Sequence, residues 1–169
     1  MKLNLKPLNG PIVVKTIAPR RNSLPAIGAS SYAEGAPIRD QQTLIESERG
    51  IFSARQQGRH LAERLGFSSS ELVVIATVIS ELGRNIVQYA GSGNISVSPI
   101  DQGQRSGISI TAQDKGPGIS NVALALQAGY STSEGLGAGL PGVKRVVDEM
   151  VITSEMGQGT SVVVRKWKR

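Results

Sequence analysis

A chain of 169 residues with 39% hydrophobic residues and no cysteine can build one ordinary core, and it excludes a disulfide framework and a thiolate metal site. Its longest apolar run, Leu72 to Ile79, is flanked by Glu71 and Glu81 and is too short to span a bilayer. The net charge of +6 is uneven: residues 1–40 hold Lys2, Lys6, Lys15, Arg20, Arg21 and Arg39 against Glu34 and Asp40, for +4, and the rest of the chain carries +2. A basic tail on a nearly neutral domain with 4% aromatics argues against a reader of nucleic acid.

Pro7, Pro11 and Pro19 interrupt the first apolar stretches and leave no signal-peptide pattern. Together with the absent cysteine this suits a cytoplasmic protein. Within residues 1–40, Ile12 to Ile17 has strand character, and Pro19 to Pro37 is rich in Ser, Gly, Ala and Pro. That segment is expected to be a flexible or loosely docked arm, with one main domain over residues 41–169. A short strand is predicted at 42–47.

Ile51, Ala54, Gly58, Leu61 and Leu65 then recur at helical spacing from Gly50, and Gly66 supplies a stop. Ser68 followed by Glu71 is a capping-box start for a second helix running to Tyr89 or Ala90. This helix is apolar on nearly every side and is expected to be central and buried. Two alternating strands follow, around Ile95 and Val97 and around Ile108 and Ile110, with a hairpin loop from Asp101 to Ser106.

Beyond them come a turn at Asp114 to Gly118, a short helix from Val122 to Ala128 and a loop from Gly129 to Gly139. A helix with Pro141 in its first turn reaches Asp148, and strands Met150–Glu155 and Thr160–Trp167 meet at a turn. Strands and helices segregated in this order predict an α/β (α+β) sandwich, its antiparallel or mixed sheet covered by helices on one face.

Four constellations carry chemistry. Glu81 and Asn85 lie one helical turn apart on an apolar helix, where buried polar groups are costly unless satisfied. If that face opens onto a nucleotide, the Asn85 carbonyl suits Mg²⁺ and Glu81 can deprotonate an attacking hydroxyl. The alternative is an ordinary polar stripe with Glu81 paired to Arg84.

Asp114-Lys115-Gly116-Pro117-Gly118 offers a carboxylate to the amino group of adenine, which would repel the oxygen that guanine shows there. It also has the composition of a plain turn. In the run Ser131 to Gly142, consecutive backbone N–H groups before a helix form an anion nest suited to phosphates, with hydroxyls to close over them. The dinucleotide spacing of Gly137, Gly139 and Gly142 lacks its leading strand, and no Walker lysine motif is present. Gly157-Gln158-Gly159-Thr160 reads by itself as a hairpin turn. His60, Lys144 and Arg145 read as solvated side chains, and Trp167 as a packing residue.

The order of these segments is more specific than any of them alone. Glu81-x-x-x-Asn85, Asp114-x-Gly116-x-Gly118, the Gly135–Gly139 loop and Gly157-x-Gly159-Thr160 together resemble the four-box signature of the GHKL ATPase superfamily. Within it, Ile79 to Ile86, Asp114 to Ile119 and Gly129 to Arg145 are similar to the stressosome switch kinases of the RsbT type, over about residues 42–168. The resemblance implies a Bergerat-type fold, and ATP and Mg²⁺ as cofactors. It implies Glu81 as general base, Asn85 on the metal and Asp114 on adenine, with Gly116, Gly118, Ile119 and Thr160 around the nucleotide. Thr132, Ser133, Gly135, Leu136, Gly137, Ala138, Gly139 and Leu140 are implied as the ATP lid. It further implies a serine or threonine of a STAS-domain antagonist or scaffold protein as substrate and a PP2C-type phosphatase or other output protein as second partner; the charge distribution and the short apolar run argue separately against nucleic-acid and membrane partners. The competing reading within the superfamily is an anti-sigma factor that sequesters a sigma subunit. Residues 1–40 receive no role from the resemblance.

Overall fold

The computed structural model describes residues 12–15, 41–127 and 139–169. A six-stranded sheet runs in the order β1-β5-β6-β4-β3-β2. Its strands are β1 (Ile12–Lys15), β2 (Gln41–Ile45), β3 (Gly93–Gln102), β4 (Arg105–Asp114), β5 (Glu149–Glu155) and β6 (Gly159–Trp167). All pair antiparallel except β1, which joins the edge of β5 in parallel. The helices are α1 (Glu48–Arg64), α2 (Ser69–Ala90), α3 (Val122–Ala125) and α4 (Gly139–Val146). No helix among the described residues is long and apolar enough to cross a membrane.

Alternation along the strands sets the core. Register places Ile95, Ala112, Val162 and Ile152 in one cross-strand row, and Val97, Ile110, Val164 and Met150 in the next. All eight are buried in one cluster with the inner faces of α1 and α2. The rows on the opposite face hold Ser96, Thr111, Val163 and Val151, and Ser98, Ser109, Arg165 and Glu149. The expected two-layer arrangement, with helices on one face of a mixed sheet, follows from this period of two.

Several boundaries differ from expectation for identifiable reasons. α1 starts at Glu48, whose carboxylate favours the positive end of the helix. The β3–β4 hairpin turns on Gly103 and Gln104 alone, because Asp101 pairs with Ser106 and Gln102 with Arg105. The loop expected from Asp101 to Ser106 is therefore two residues long, since ladder hydrogen bonds belong to the backbone and polar side chains do not prevent them. α2 is not buried all round. Val73, Thr77, Arg84 and Gln88 form an exposed stripe, since the sheet and α1 can cover only the opposite side. There the two helices approach closely: a Cβ at Gly58 would strike Ile79, and one at Gly83 would lie 2.9 Å from Ile51.

The start of α2 has the expected capping box. The Ser68 hydroxyl accepts from the Glu71 amide at 3.4 Å, and the Ser68 amide donates to Glu71 Oε2 at 2.8 Å. The backbone N–H of Arg169 donates to the other oxygen at 3.2 Å, tying the end of the chain to this helix. Burial acts to raise the Glu71 pKa. The bonds from the Ser68 hydroxyl and amide, the bond from Arg169 and the charge of Lys166 outweigh it and hold the carboxyl below its ordinary value. A carboxyl with a depressed folded-state pKa stabilises the fold above its unfolded pKa, and that contribution is lost as pH falls through the folded value. Ser68→Ala should therefore cost about 1 kcal/mol at neutral pH, and Glu71→Gln should flatten the acid limb of stability. Urea unfolding at stepped pH tests both, and an unchanged acid limb in Glu71→Gln would contradict the assignment.

Candidate functional site

The second half of α2 presents Leu82, Asn85, Ile86 and Tyr89 at spacings of three, one and three, which aligns them on one face. Facing them are Ala112 and Asp114 of β4 and Thr160 and Val162 of β6, each pair two residues apart and so on one side of the sheet. The turn after β4 and the start of α4 close the ends. These elements enclose a cavity of about 380 Å³, a size suited to a small organic ligand. Its walls are largely aliphatic, and among the described residues that line it Asp114 is the one carboxylate.

Asp114 is held in place by its neighbours. Its Oδ1 accepts from the Gly116 amide at 2.9 Å and from the Thr160 amide at 3.2 Å. Oδ2 makes no hydrogen bond among the described residues, so a fixed acceptor is left for a ligand. The Ile119 amide donates to Ser154 Oγ at 2.8 Å, and Ser154 also bonds the Gly159 carbonyl at 3.1 Å and the Thr160 hydroxyl at 2.9 Å. Strand β5 is thereby bound to both the turn and β6 beside the cavity.

Asn85 is half-buried on the cavity wall, and its carboxamide makes no hydrogen bond among the described residues. An amide oriented into a cavity with unused hydrogen-bonding groups can serve a ligand or a ligand-borne cation. Among the described residues no group of three or more His, Asp or Glu side chains is arranged to hold a metal. Any cation would therefore need ligand oxygens beside Asn85, as Mg²⁺ characteristically takes from phosphates.

Glu81, one turn before Asn85, is buried and lies outside the cavity wall. Its Oε1 accepts from Arg84 at 2.7 Å, and its Oε2 accepts from the Gly139 amide at 3.3 Å. The Glu81–Arg84 pair envisaged for a plain polar stripe thus exists, together with a bond to the first residue of α4. Gly139 itself lines the cavity, so Glu81 sits directly behind its edge.

Of the expected site residues, Asn85, Asp114, Gly118, Ile119, Gly139, Leu140 and Thr160 line the cavity. Gly116 acts through its N–H on Asp114. Thr132, Ser133, Gly135, Leu136, Gly137 and Ala138 lie outside the described residues. Sequence reasoning missed Leu82, Ile86, Tyr89, Ala112 and Val162. The helical period around Asn85 and the two-residue period through Asp114 and Thr160 held the signal for them. Ser154 carried none, because its role depends on strand register.

Residues 71–169 match the family described as histidine kinase-, DNA gyrase B-, and HSP90-like ATPase. The chain is similar to the serine/threonine-protein kinase RsbT of Bacillus subtilis, 46% identical over 133 residues that cover 78% of this chain and 100% of that protein. It is also similar to anti-sigma F factors: that of Geobacillus stearothermophilus is 28% identical over 130 residues, and that of Geobacillus thermodenitrificans 30% identical over 131 residues, each match covering 68% of this chain and 88% of the relative. A fixed carboxylate in the wall of an aliphatic cavity, an open carboxamide on its helical side and these matches together make the chain a member of the histidine kinase-, DNA gyrase B- and HSP90-like ATPase family.

Proposed function

We propose that this protein is an ATP-dependent serine/threonine protein kinase that phosphorylates a STAS-domain antagonist or scaffold protein in a partner-switching pathway of the cytoplasm. The observation that carries the reading is the placement of Glu81 and Asn85, one turn apart, beside a cavity lined by the fixed carboxylate of Asp114. The likeness to a curated serine/threonine kinase over most of the chain supports it.

Adenine fits the aliphatic cavity with its amino group toward Asp114, and the phosphates then extend toward Asn85 and the start of α4. Asn85 would hold Mg²⁺ together with phosphate oxygens, and the ion would neutralise charge on them. In the transfer, the partner's hydroxyl oxygen bonds the γ-phosphorus while the bridge to the β-phosphate breaks and ADP departs with that electron pair. Glu81 takes the hydroxyl proton. The remaining work is positioning and stabilisation of charge. The new phosphate adds negative charge to the partner's surface, which frees the kinase for a second partner such as a PP2C-type phosphatase.

The test is mass spectrometry of a candidate STAS-domain protein after incubation with this chain and Mg-ATP. A gain of one phosphate on a serine or threonine is expected, and its absence across the candidate antagonists would defeat the reading. The likeness to anti-sigma F factors favours a second reading, direct sequestration of a sigma subunit. Tight capture of purified sigma factor, without phosphorylation of any STAS protein, would select it.

A further inference from the structure

β1 makes the shortest ladder among the described strands: Ile12 to Lys15 pair with Met150 to Thr153, in parallel. The other ladders cover five or more positions, and parallel pairing is slightly weaker per residue than antiparallel. β1 also sits at the opposite edge of the sheet from β2, the next strand in the chain. The two edges lie five strand spacings apart, or about 24 Å. Residues 16–40, which join them, are enough chain to span that distance several times over. The link therefore neither pins β1 to β5 nor pulls it away, and the pairing itself decides whether β1 is seated. What it covers is an edge of uncharged residues, Met150-Val151-Ile152-Thr153, whose backbone groups would otherwise be open to any extended chain.

The strand that β1 covers also braces the cavity. The residue after Thr153 is Ser154, 3% exposed, whose hydroxyl accepts from the Ile119 amide at 2.8 Å. Just beyond it, the Gly157 amide donates to the Pro117 carbonyl at 2.8 Å. A Cβ on Gly118 would overlap the Glu155 carbonyl, so backbone meets backbone there without slack. Pro117, Gly118 and Ile119 all line the cavity, and the end of β5 with its turn thus supports that wall at three points. β5 itself is held by β6 on one side and by β1 on the other. We infer that β1 is a detachable clamp on the β5 edge whose seating is coupled to nucleotide binding. With β1 in place, β5 holds the turn at 117–119 in the geometry of the cavity. With β1 released, that wall loosens and the nucleotide is bound less tightly. Linked equilibria are reciprocal, so a bound nucleotide tightens β1 by the same factor. The inference gives the strand ahead of the main domain a regulatory role, and it rests on the nucleotide reading of this cavity.

The experiment follows β1 and the nucleotide together. Hydrogen exchange of the full, unaltered chain is measured by mass spectrometry with and without saturating Mg-ATP. Exchange at Ile12 to Lys15 and at Met150 to Thr153 should slow about tenfold on binding, within the usual range of coupling between sites, while β2 at the far edge should not change. In the full chain carrying Val13→Pro and Val14→Pro together, the ladder loses a donor whichever of the two N–H groups faces β5. Its Mg-ATP dissociation constant by calorimetry should rise by about the same factor, and a peptide of residues 9–18 added in excess should restore it. The exchange measurement needs no variant, so it decides the matter if the proline chain does not fold. A β1 that merely covers an edge would exchange at the same rate with and without nucleotide. That result, equal slowing at β1 and β2, or an unchanged dissociation constant in the proline chain overturns the inference while leaving the nucleotide site intact. If the unaltered chain binds no Mg-ATP, the cavity assignment itself fails and this inference falls with it.

Discussion

Glu81→Gln should bind Mg-ATP within about twofold of the unaltered protein and transfer phosphate about 10²- to 10⁴-fold more slowly, the range attributable to a lost general base. The split follows from position. Glu81 does not line the cavity, so removing its charge takes nothing directly from the nucleotide. Glutamine can still accept a hydrogen bond from the Gly139 amide, now 3.3 Å from Glu81 Oε2, which preserves the junction of α2 and α4. What it cannot do is take a proton. Glu81→Ala should also retain ATP affinity and lose transfer, with an added cost from the unpaired Gly139 amide and Arg84. ATP affinity by calorimetry and single-turnover transfer to a STAS-domain substrate separate the two effects. If Glu81→Gln phosphorylates that substrate at the normal rate, the base is another group.

Gly159→Ala should be among the most damaging single changes in the chain, lowering stability by about 3 kcal/mol, from backbone strain together with overpacking. Gly159 has φ 108, a conformation that L side chains rarely adopt, and a Cβ there would overlap the Asp114 carbonyl and lie 2.8 Å from Lys115 Cα. Both obstacles are backbone, so they cannot swing aside. The start of β6 would move away from Asp114, breaking the 3.2 Å bond from the Thr160 amide and loosening the carboxylate that the base would meet. ATP affinity should fall at least tenfold along with the melting temperature. Gly157→Ala is the control. Its φ of 75 is similarly unfavourable, but a Cβ there meets nothing within 4 Å, so it should cost only about 1–2 kcal/mol and leave affinity unchanged. Equal losses in the two variants would mean that conformation alone matters, and not the contact of β6 with Asp114.

Features written in short-range spacing were open to reading before any coordinates. The capping box spans three residues from Ser68 to Glu71, the shared face of Glu81 and Asn85 spans four, and alternation in β3 to β6 separates core from surface two residues at a time. Each expresses a local repeat, 3.6 residues in a helix and two in a strand, so neighbours along the chain suffice. The linkages that shape the site join distant positions: Gly139 to Glu81 across 58 residues, Thr160 to Asp114 across 46, and Ile119 to Ser154 across 35. No local period encodes such distances. They exist because the order β5-β6-β4-β3 sets strands remote in the chain side by side, and because the pairing register, driven by burial of one sheet face, brings their ends level. Composition and spacing named the residue types a nucleotide needs, while cross-strand packing decided which oxygen of Asp114 stays open, that Glu81 stands behind the cavity edge, and that Ser154, absent from every motif, meets the hydroxyl of Thr160 within one.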